Sequence, residues 1–71
     1  MQLISAKQLG SSIKQVRLKL QLTQAAVAAE CGTGVRFIAE LERGKPTCEL
    51  EKALKVARML GVRIEITETP D

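Results

Sequence analysis

Apolar residues recur every three or four positions in the first third of the chain, and this spacing predicts an amphipathic helix. The positions that would face the core are Leu9, Ile13, Val16 and Leu20. Ser5 followed by Gln8 has the pattern of a capping box, which predicts the start of this helix. Gly10 weakens the helix near its start but does not interrupt the apolar pattern.

The pattern of caps, glycine and apolar residues in the segment 23–45 predicts two short helices separated by a glycine turn. Thr23 is a suitable N-cap for the first helix, and Gly32 can adopt the left-handed conformation that ends it. Thr33 is then placed to cap the second helix. Each helix carries one narrow apolar stripe, formed by Val27 and Cys31 on the first and by Ile38 and Leu41 on the second.

A fourth helix is predicted after Pro46, with Thr47 as its N-cap and Gly61 as its C-terminal stop. The positions expected to face inward are Leu50, Leu54, Ala57 and Leu60. Residues 62–67 then alternate between apolar and polar, which predicts a short β-strand.

The predicted strand needs a partner, because a lone strand leaves its backbone hydrogen bonds unsatisfied. Its apolar face consists of Val62, Ile64 and Ile66. We expect it to pair with the same strand of a second protomer, and the alternative is pairing with residues 2–4 of its own chain. The expected organisation is a helical domain over residues 1–61 and a dimerisation strand and tail over residues 62–71.

Two short sequences carry a family resemblance: Thr23-Gln24 at the start of the first helix of the pair, and the string 41–45, LERGK, at the end of the second. They resemble the helix-turn-helix of phage-repressor-like (XRE) regulators. The match extends into the flanks, from about Leu9 to Gly61. The chain looks most like HipB-type antitoxins in three features: the run 35–47, VRFIAELERGKPT, the spacing of the helix from Leu50 to Gly61, and the strand-like tail.

That resemblance implies an all-α fold of four to five helices, with a short C-terminal strand pairing across a homodimer. It also implies a transcriptional repressor that binds a palindromic operator in double-stranded DNA. A HipA-like serine/threonine kinase toxin would be its second partner, and the repressor would regulate the operon encoding both. Alternatives are a stand-alone phage-type regulator without a toxin, and a protein-interaction module that has lost DNA binding.

Composition narrows the function classes. With 71 residues the chain has room for one small domain, which favours help from a partner chain. It has no histidine, only two cysteines and no phosphate-binding glycine loop, so we expect neither an enzyme nor a metal or cofactor site.

No signal peptide or membrane span is recognisable, so a cytoplasmic location is expected. In that compartment a disulfide between Cys31 and Cys48 is not expected.

Charge is distributed unevenly. Before Glu30 the chain carries Lys7, Lys14, Arg17 and Lys19 and no acidic residue. The N-terminal part is therefore suited to face an anion such as DNA.

The start of the second helix of the pair is expected to enter the major groove, with Val35, Arg36, Phe37 and Glu40 reading bases. Arg36 can donate two hydrogen bonds to a guanine, and the alternative is a phosphate contact. Phe37 can contact a thymine methyl or pack against a neighbouring helix or protomer. Glu40 can accept from a cytosine amino group or remain a surface acid.

Phosphate contacts are expected from Gln24, Thr33, Arg43 and Lys45, which lie near helix N-termini or in the basic loop. Arg17 is not assigned to DNA. Its position relative to Thr23 and Glu42 resembles an internal ion pair of the repressor-like fold, so Arg17 and Glu42 are expected to form a structural pair.

Overall fold

The computed structural model describes residues 5–46 and 49–63, and these residues form an all-α domain. Its helices are α1 (Ala6–Lys19), α2 (Gln24–Cys31), α3 (Val35–Glu42) and α4 (Leu50–Leu60). Helix α3 packs against α1 and α2, and α4 packs against α1 and α2. The expectation of a helical domain is confirmed for this part of the chain.

All four helices contribute to one hydrophobic core. Its largest fully buried side chains are one from each helix: Ile13, Val27, Ile38 and Val56. The remaining buried apolar residues are Leu9, Ala28, Cys31, Leu41, Ala53, Ala57, Leu60 and Val62. The stripes predicted on α2 and α3 are therefore confirmed.

Several predicted helix ends are also confirmed. The Ser5 side chain accepts a hydrogen bond from the backbone N–H of Gln8, and Thr23 accepts one from the N–H of Ala26. Gly32 and Gly61 end α2 and α4 with φ angles of 69° and 76°, which are left-handed values that glycine adopts without steric cost.

Two predicted N-caps are wrong. Thr33 does not cap α3, because its N–H donates to the Ala28 carbonyl at 2.9 Å and so completes the last turn of α2. Gly34 occupies the cap position of α3 instead. Helix α4 has Glu49 as its N-cap, and Thr47 lies outside the described residues.

Two leucines predicted to be inward are exposed. Leu20 lies one residue beyond the end of α1 and is 53% exposed, so the helical periodicity no longer applies to it. Leu50 is the first residue of α4 and is 65% exposed. The core face of α4 includes Ala53 and Val56, which the predicted set omitted.

The predicted C-terminal strand does not begin at Val62. Neither Val62 nor Arg63 lies in a strand. The Val62 side chain is buried against the core of its own chain, and its backbone N–H donates to the Ala57 carbonyl. The other residues of the predicted dimer strand, Ile64 and Ile66, lie outside the described part of the chain.

Gly10 marks the place where α1 crosses the end of α3. A Cβ at this position would collide with the carbonyl oxygen of Leu41 and would lie 2.9 Å from that of Glu42. The absence of a side chain therefore lets α1 approach the α3 backbone directly, a role that helical spacing does not indicate.

In the described parts of the chain, none of the helices has the length and apolar character needed to cross a membrane.

Candidate nucleic-acid interface

Helices α2 and α3 are joined by a three-residue turn, Gly32 to Gly34, and pack against each other as the sequence predicts. Only Ile38 and Leu41 of α3 are buried, so most of the helix lies at the surface. Gly34 provides no side chain to cap the first N–H groups of α3. These amides and the positive end of the helix dipole therefore favour a nearby anion.

Arg36 is the one cationic residue of α3, and it is available for contacts outside the protein. Its side chain is 91% exposed, and its Nε lies 3.2 Å from Oε1 of Glu40 one turn later. Surface ion pairs of this kind contribute little to stability, so the guanidinium can leave Glu40 for another acceptor. Val35 beside it is 46% exposed, which leaves an apolar side chain at the start of the same surface.

Glu40 lies between two cations. Its Oε2 accepts from Lys45 Nζ at 3.1 Å while Oε1 accepts from Arg36. The hydrogen bond from Lys45 is the largest influence that holds the pKa of Glu40 below its ordinary value. Glu40 is therefore ionised at neutral pH and positions one cation from α3 and one from the following loop.

Phe37 has a different environment from Arg36. It is half-buried and packs against the hydrophobic core, and its ring centre lies 5.9 Å from Lys52 Nζ of α4. Such a separation is within the range of a cation–π contact. The ring therefore has protein partners, and its contact with a thymine methyl stays a prediction.

The residues predicted to contact phosphate differ in availability. Arg43 and Lys45 are exposed in the turn that follows α3, and Thr33 is half-buried before α3. Gln24 is also half-buried, and its Nε2 donates to Oε1 of Glu42 at 3.1 Å. Three of the four candidates thus flank the two ends of α3, whereas Gln24 is held by an internal carboxylate.

The ion pair between Arg17 and Glu42 is present. Arg17 donates from two nitrogens to the two carboxylate oxygens, at 2.6 and 3.0 Å, and a third nitrogen donates to the Leu22 carbonyl at 2.8 Å. The side chains are 9% and 3% exposed, so the pair is shielded from water. It ties α1 to the end of α3, which fixes the orientation of the surface helix.

The protonation of Glu42 follows from its neighbours. Burial alone would raise its pKa, but hydrogen bonds from Arg17 and Gln24 together with the Arg17 charge bring the pKa below its ordinary value. The sequence did not indicate that Gln24 and the Leu22 carbonyl complete this network. A glutamine at position 24 does not by itself indicate a contact with Glu42, which lies 18 positions later in the sequence. A leucine at position 22 likewise gives no sign that its backbone carbonyl joins the network.

Within residues 5–46 and 49–63, no three histidine, cysteine or acidic side chains cluster as a metal site would require. Cys31 is a buried free thiol, and burial raises its pKa, which suits a core residue rather than a reactive one. Cys48 lies outside the described residues.

Comparison with known proteins agrees with this architecture. A family model described as helix-turn-helix matches residues 13–66. The HTH-type transcriptional regulator y4mF of Sinorhizobium fredii is 41% identical over 58 residues, which cover 82% of this chain and 76% of that protein. Control protein C.BamHI of Bacillus amyloliquefaciens is 33% identical over 55 residues, covering 76% and 68% respectively. The chain therefore belongs to the phage-repressor-like helix-turn-helix family of DNA-binding transcriptional regulators.

Proposed function

We propose that the protein is a sequence-specific repressor that binds a palindromic operator as a homodimer, with α3 in the major groove. The observation that carries this proposal is the almost fully exposed Arg36 near the N-terminus of α3, between uncapped backbone amides and the cationic turn of Arg43 and Lys45. A two-fold axis would set two such helices about 34 Å apart, one turn of B-DNA.

Base reading is assigned first to Arg36. Its guanidinium can donate to O6 and N7 of a guanine, with about 1–3 kcal/mol of discrimination against other bases. Val35 supplies an apolar contact, and Phe37 adds one if its free edge reaches a thymine methyl. In the free protein Glu40 accepts a hydrogen bond from Arg36, and a base would take the place of Glu40 as the acceptor when DNA binds. The negative charge of Glu40 disfavours DNA sequences that present only hydrogen-bond acceptors to it.

Phosphate contacts are assigned to Arg43 and Lys45, with Thr33 at the opposite end of α3. Gln24 would have to exchange its hydrogen bond to Glu42 for one to DNA, or make both with different atoms of its amide. These contacts position the helix and make affinity depend on salt, but they carry no sequence information.

An Arg36→Ala substitution tests the assignment. Binding to the protein's own upstream DNA, followed by fluorescence anisotropy, is expected to lose about 5- to 150-fold in preference for operator over scrambled DNA, corresponding to about 1–3 kcal/mol. The salt dependence should change little, because the lost contact is to a base. Arg63→Ala, which removes an exposed arginine beyond α4, is the matched control.

Equal discrimination by the wild type and Arg36→Ala would refute base reading by Arg36. Weak binding of the wild type to every DNA, alike at all salt concentrations, would refute the repressor function itself. A protein-interaction module would then be the better description.

The finer proposal is that this regulator is the antitoxin of a HipA-like kinase and represses the operon that encodes both. Its support is the resemblance of residues 35–47, of the helix from Leu50 to Gly61 and of the strand-like tail to HipB-type antitoxins. The competing proposal is a regulator without a toxin, and it is supported by the names of both relatives, a transcriptional regulator and a control protein. A kinase-like neighbouring gene whose product co-purifies with this protein would decide for the antitoxin; a neighbourhood without one would decide for the stand-alone regulator.

A further inference from the structure

Helix α4 presents an outward surface that combines one apolar side chain with two opposite charges. Glu51, Leu54 and Arg58 follow one another at intervals of three and four, so they lie along one side of the helix. Together with Ala57 and Val62 they line an open hollow of about 440 Å³. We call these five residues the α4 face.

The charges of the α4 face are not paired with other described residues. Among the described residues, Glu51 and Arg58 take part in none of the ion pairs, whereas neighbouring Glu49 and Lys52 pair with each other at 3.4 Å. The Leu54 side chain is half-buried at the rim of the hollow. The surface therefore offers an acid at one end, a base at the other and an apolar contact between them.

The order of charges along α4 is complementary to that of a second, antiparallel copy of the helix. Glu51 precedes Leu54 by three residues and Arg58 follows it by four, which places them about 4.5 and 6 Å from it along the helix axis. If a second α4 crosses antiparallel with a two-fold axis near Leu54, each Glu51 comes within about 1.5 Å of axial register with Arg58 of the partner subunit. The two leucines then meet at the centre, flanked by two equivalent ion pairs.

We propose that a second copy of this chain docks on the α4 face, so that α4 packs against its symmetry mate in an antiparallel pair. The inference rests on the proposed function, because it supplies the interface of the dimer proposed there. The occupant is a second copy rather than another protein because the face is self-complementary, as an isologous two-fold contact requires.

The α4 face leaves the DNA-binding surface free. Lys52, which lies over Phe37 of α3, is two residues before Leu54 and therefore about 160° away from it around the helix. A partner seated on Leu54 therefore does not cover Lys52 or the Phe37 ring beneath it. Each protomer in such a dimer keeps Arg36 exposed.

Charge reversal tests the proposal. In sedimentation equilibrium without DNA, Glu51→Arg and Arg58→Glu should each weaken dimerisation about tenfold or more, because each places like charges together twice. The double variant Glu51→Arg/Arg58→Glu restores opposite charges and should return the dimer Kd to within about threefold of wild type. Glu30→Arg, the same charge change at an exposed position of α2, is the matched control and should leave the Kd unchanged.

Circular dichroism would verify that all variants fold, which is expected because both charged positions are exposed. A monomeric wild type, unchanged dimerisation in both single variants, or a double variant weaker than either single one would overturn the α4 interface.

Binding to DNA carrying one half-site is measured alongside. If that binding persists while the α4 variants have no effect on dimerisation, only the interface is refuted; if wild type dimerises as expected but binds no DNA, only the repressor function is refuted.

Discussion

At the scale of single residues, the Arg17–Glu42 pair connects the buried interior to the surface helix. Both side chains are shielded from water, and both carboxylate oxygens accept hydrogen bonds from Arg17. The pKa of Glu42 is lowered in the folded protein, so its contribution to stability is fully present above the unfolded value of about 4.5. That contribution is lost as the pH falls through the lower folded pKa.

A Glu42→Gln substitution should therefore destabilise the protein by about 3 kcal/mol or more at pH 7, because it leaves the Arg17 charge buried without a counterion. Urea denaturation at pH 7 and at pH 3 measures the free energy of unfolding. The difference between wild type and variant should be smaller at pH 3, because below the unfolded pKa of about 4.5 the unfolded state binds a proton and the stabilisation from the lowered pKa of Glu42 declines.

Glu30→Gln, the same substitution at an exposed position of α2, should change stability by less than about 0.5 kcal/mol. A Glu42→Gln effect that is as small as this control, or independent of pH, would contradict the assignment of a structural role to the pair.

At the scale of secondary-structure elements, the crossing of α1 over the end of α3 depends on Gly10. Elsewhere in a helix, replacing glycine with alanine stabilises by roughly 0.5–1 kcal/mol. At Gly10 the added methyl group would strike the backbone of Leu41 and Glu42, which cannot move as a flexible side chain would.

Gly10→Ala is accordingly expected to lower the free energy of unfolding by about 1–3 kcal/mol, the usual cost of overpacking. Thermal denaturation followed by circular dichroism measures the effect. Ser11→Ala, at the next and exposed position of α1, is the control and should be neutral or slightly stabilising. An increase in Tm for Gly10→Ala would show that the two helices can separate without cost.

The elements themselves were predictable from local patterns, because Thr23, Gly32 and Gly61 act through their own backbone neighbourhood. Predictions failed where a long-range contact or a helix end intervened. Leu20 continues the apolar spacing of α1 but lies beyond the last residue of that helix. The need for glycine at position 10 follows from its contact with the end of α3, some 30 positions later in the sequence. Likewise Arg36 could be placed on the surface from its spacing, whereas the hydrogen bond between Gln24 and Glu42 requires the packed structure.

At the scale of the whole molecule, two-fold symmetry would double every contact with DNA. Each phosphate contact changes the slope of log affinity against log salt by about 0.9. Lys45→Ala should therefore reduce the magnitude of this slope by about 2 in an operator-bound dimer, with little change in sequence preference.

Anisotropy titrations over a series of salt concentrations measure that slope, with Arg63→Ala as the control that keeps it at the wild-type value. A reduction by about 1 would indicate that one protomer binds DNA at a time. No reduction would remove Lys45 from the contacts with phosphate.

The division of α3 into two buried positions and a larger exposed set bears on how new regulators of this type could arise. Ile38 and Leu41 hold the helix in the core, while Val35, Arg36 and Arg43 are exposed and make no contribution to that packing. If Val35 and Arg36 read bases as proposed, substitutions at these two positions can change the preferred operator at little thermodynamic cost. A combinatorial library restricted to them should retain the fold in most members, which makes this domain a practical scaffold for reprogrammed promoters.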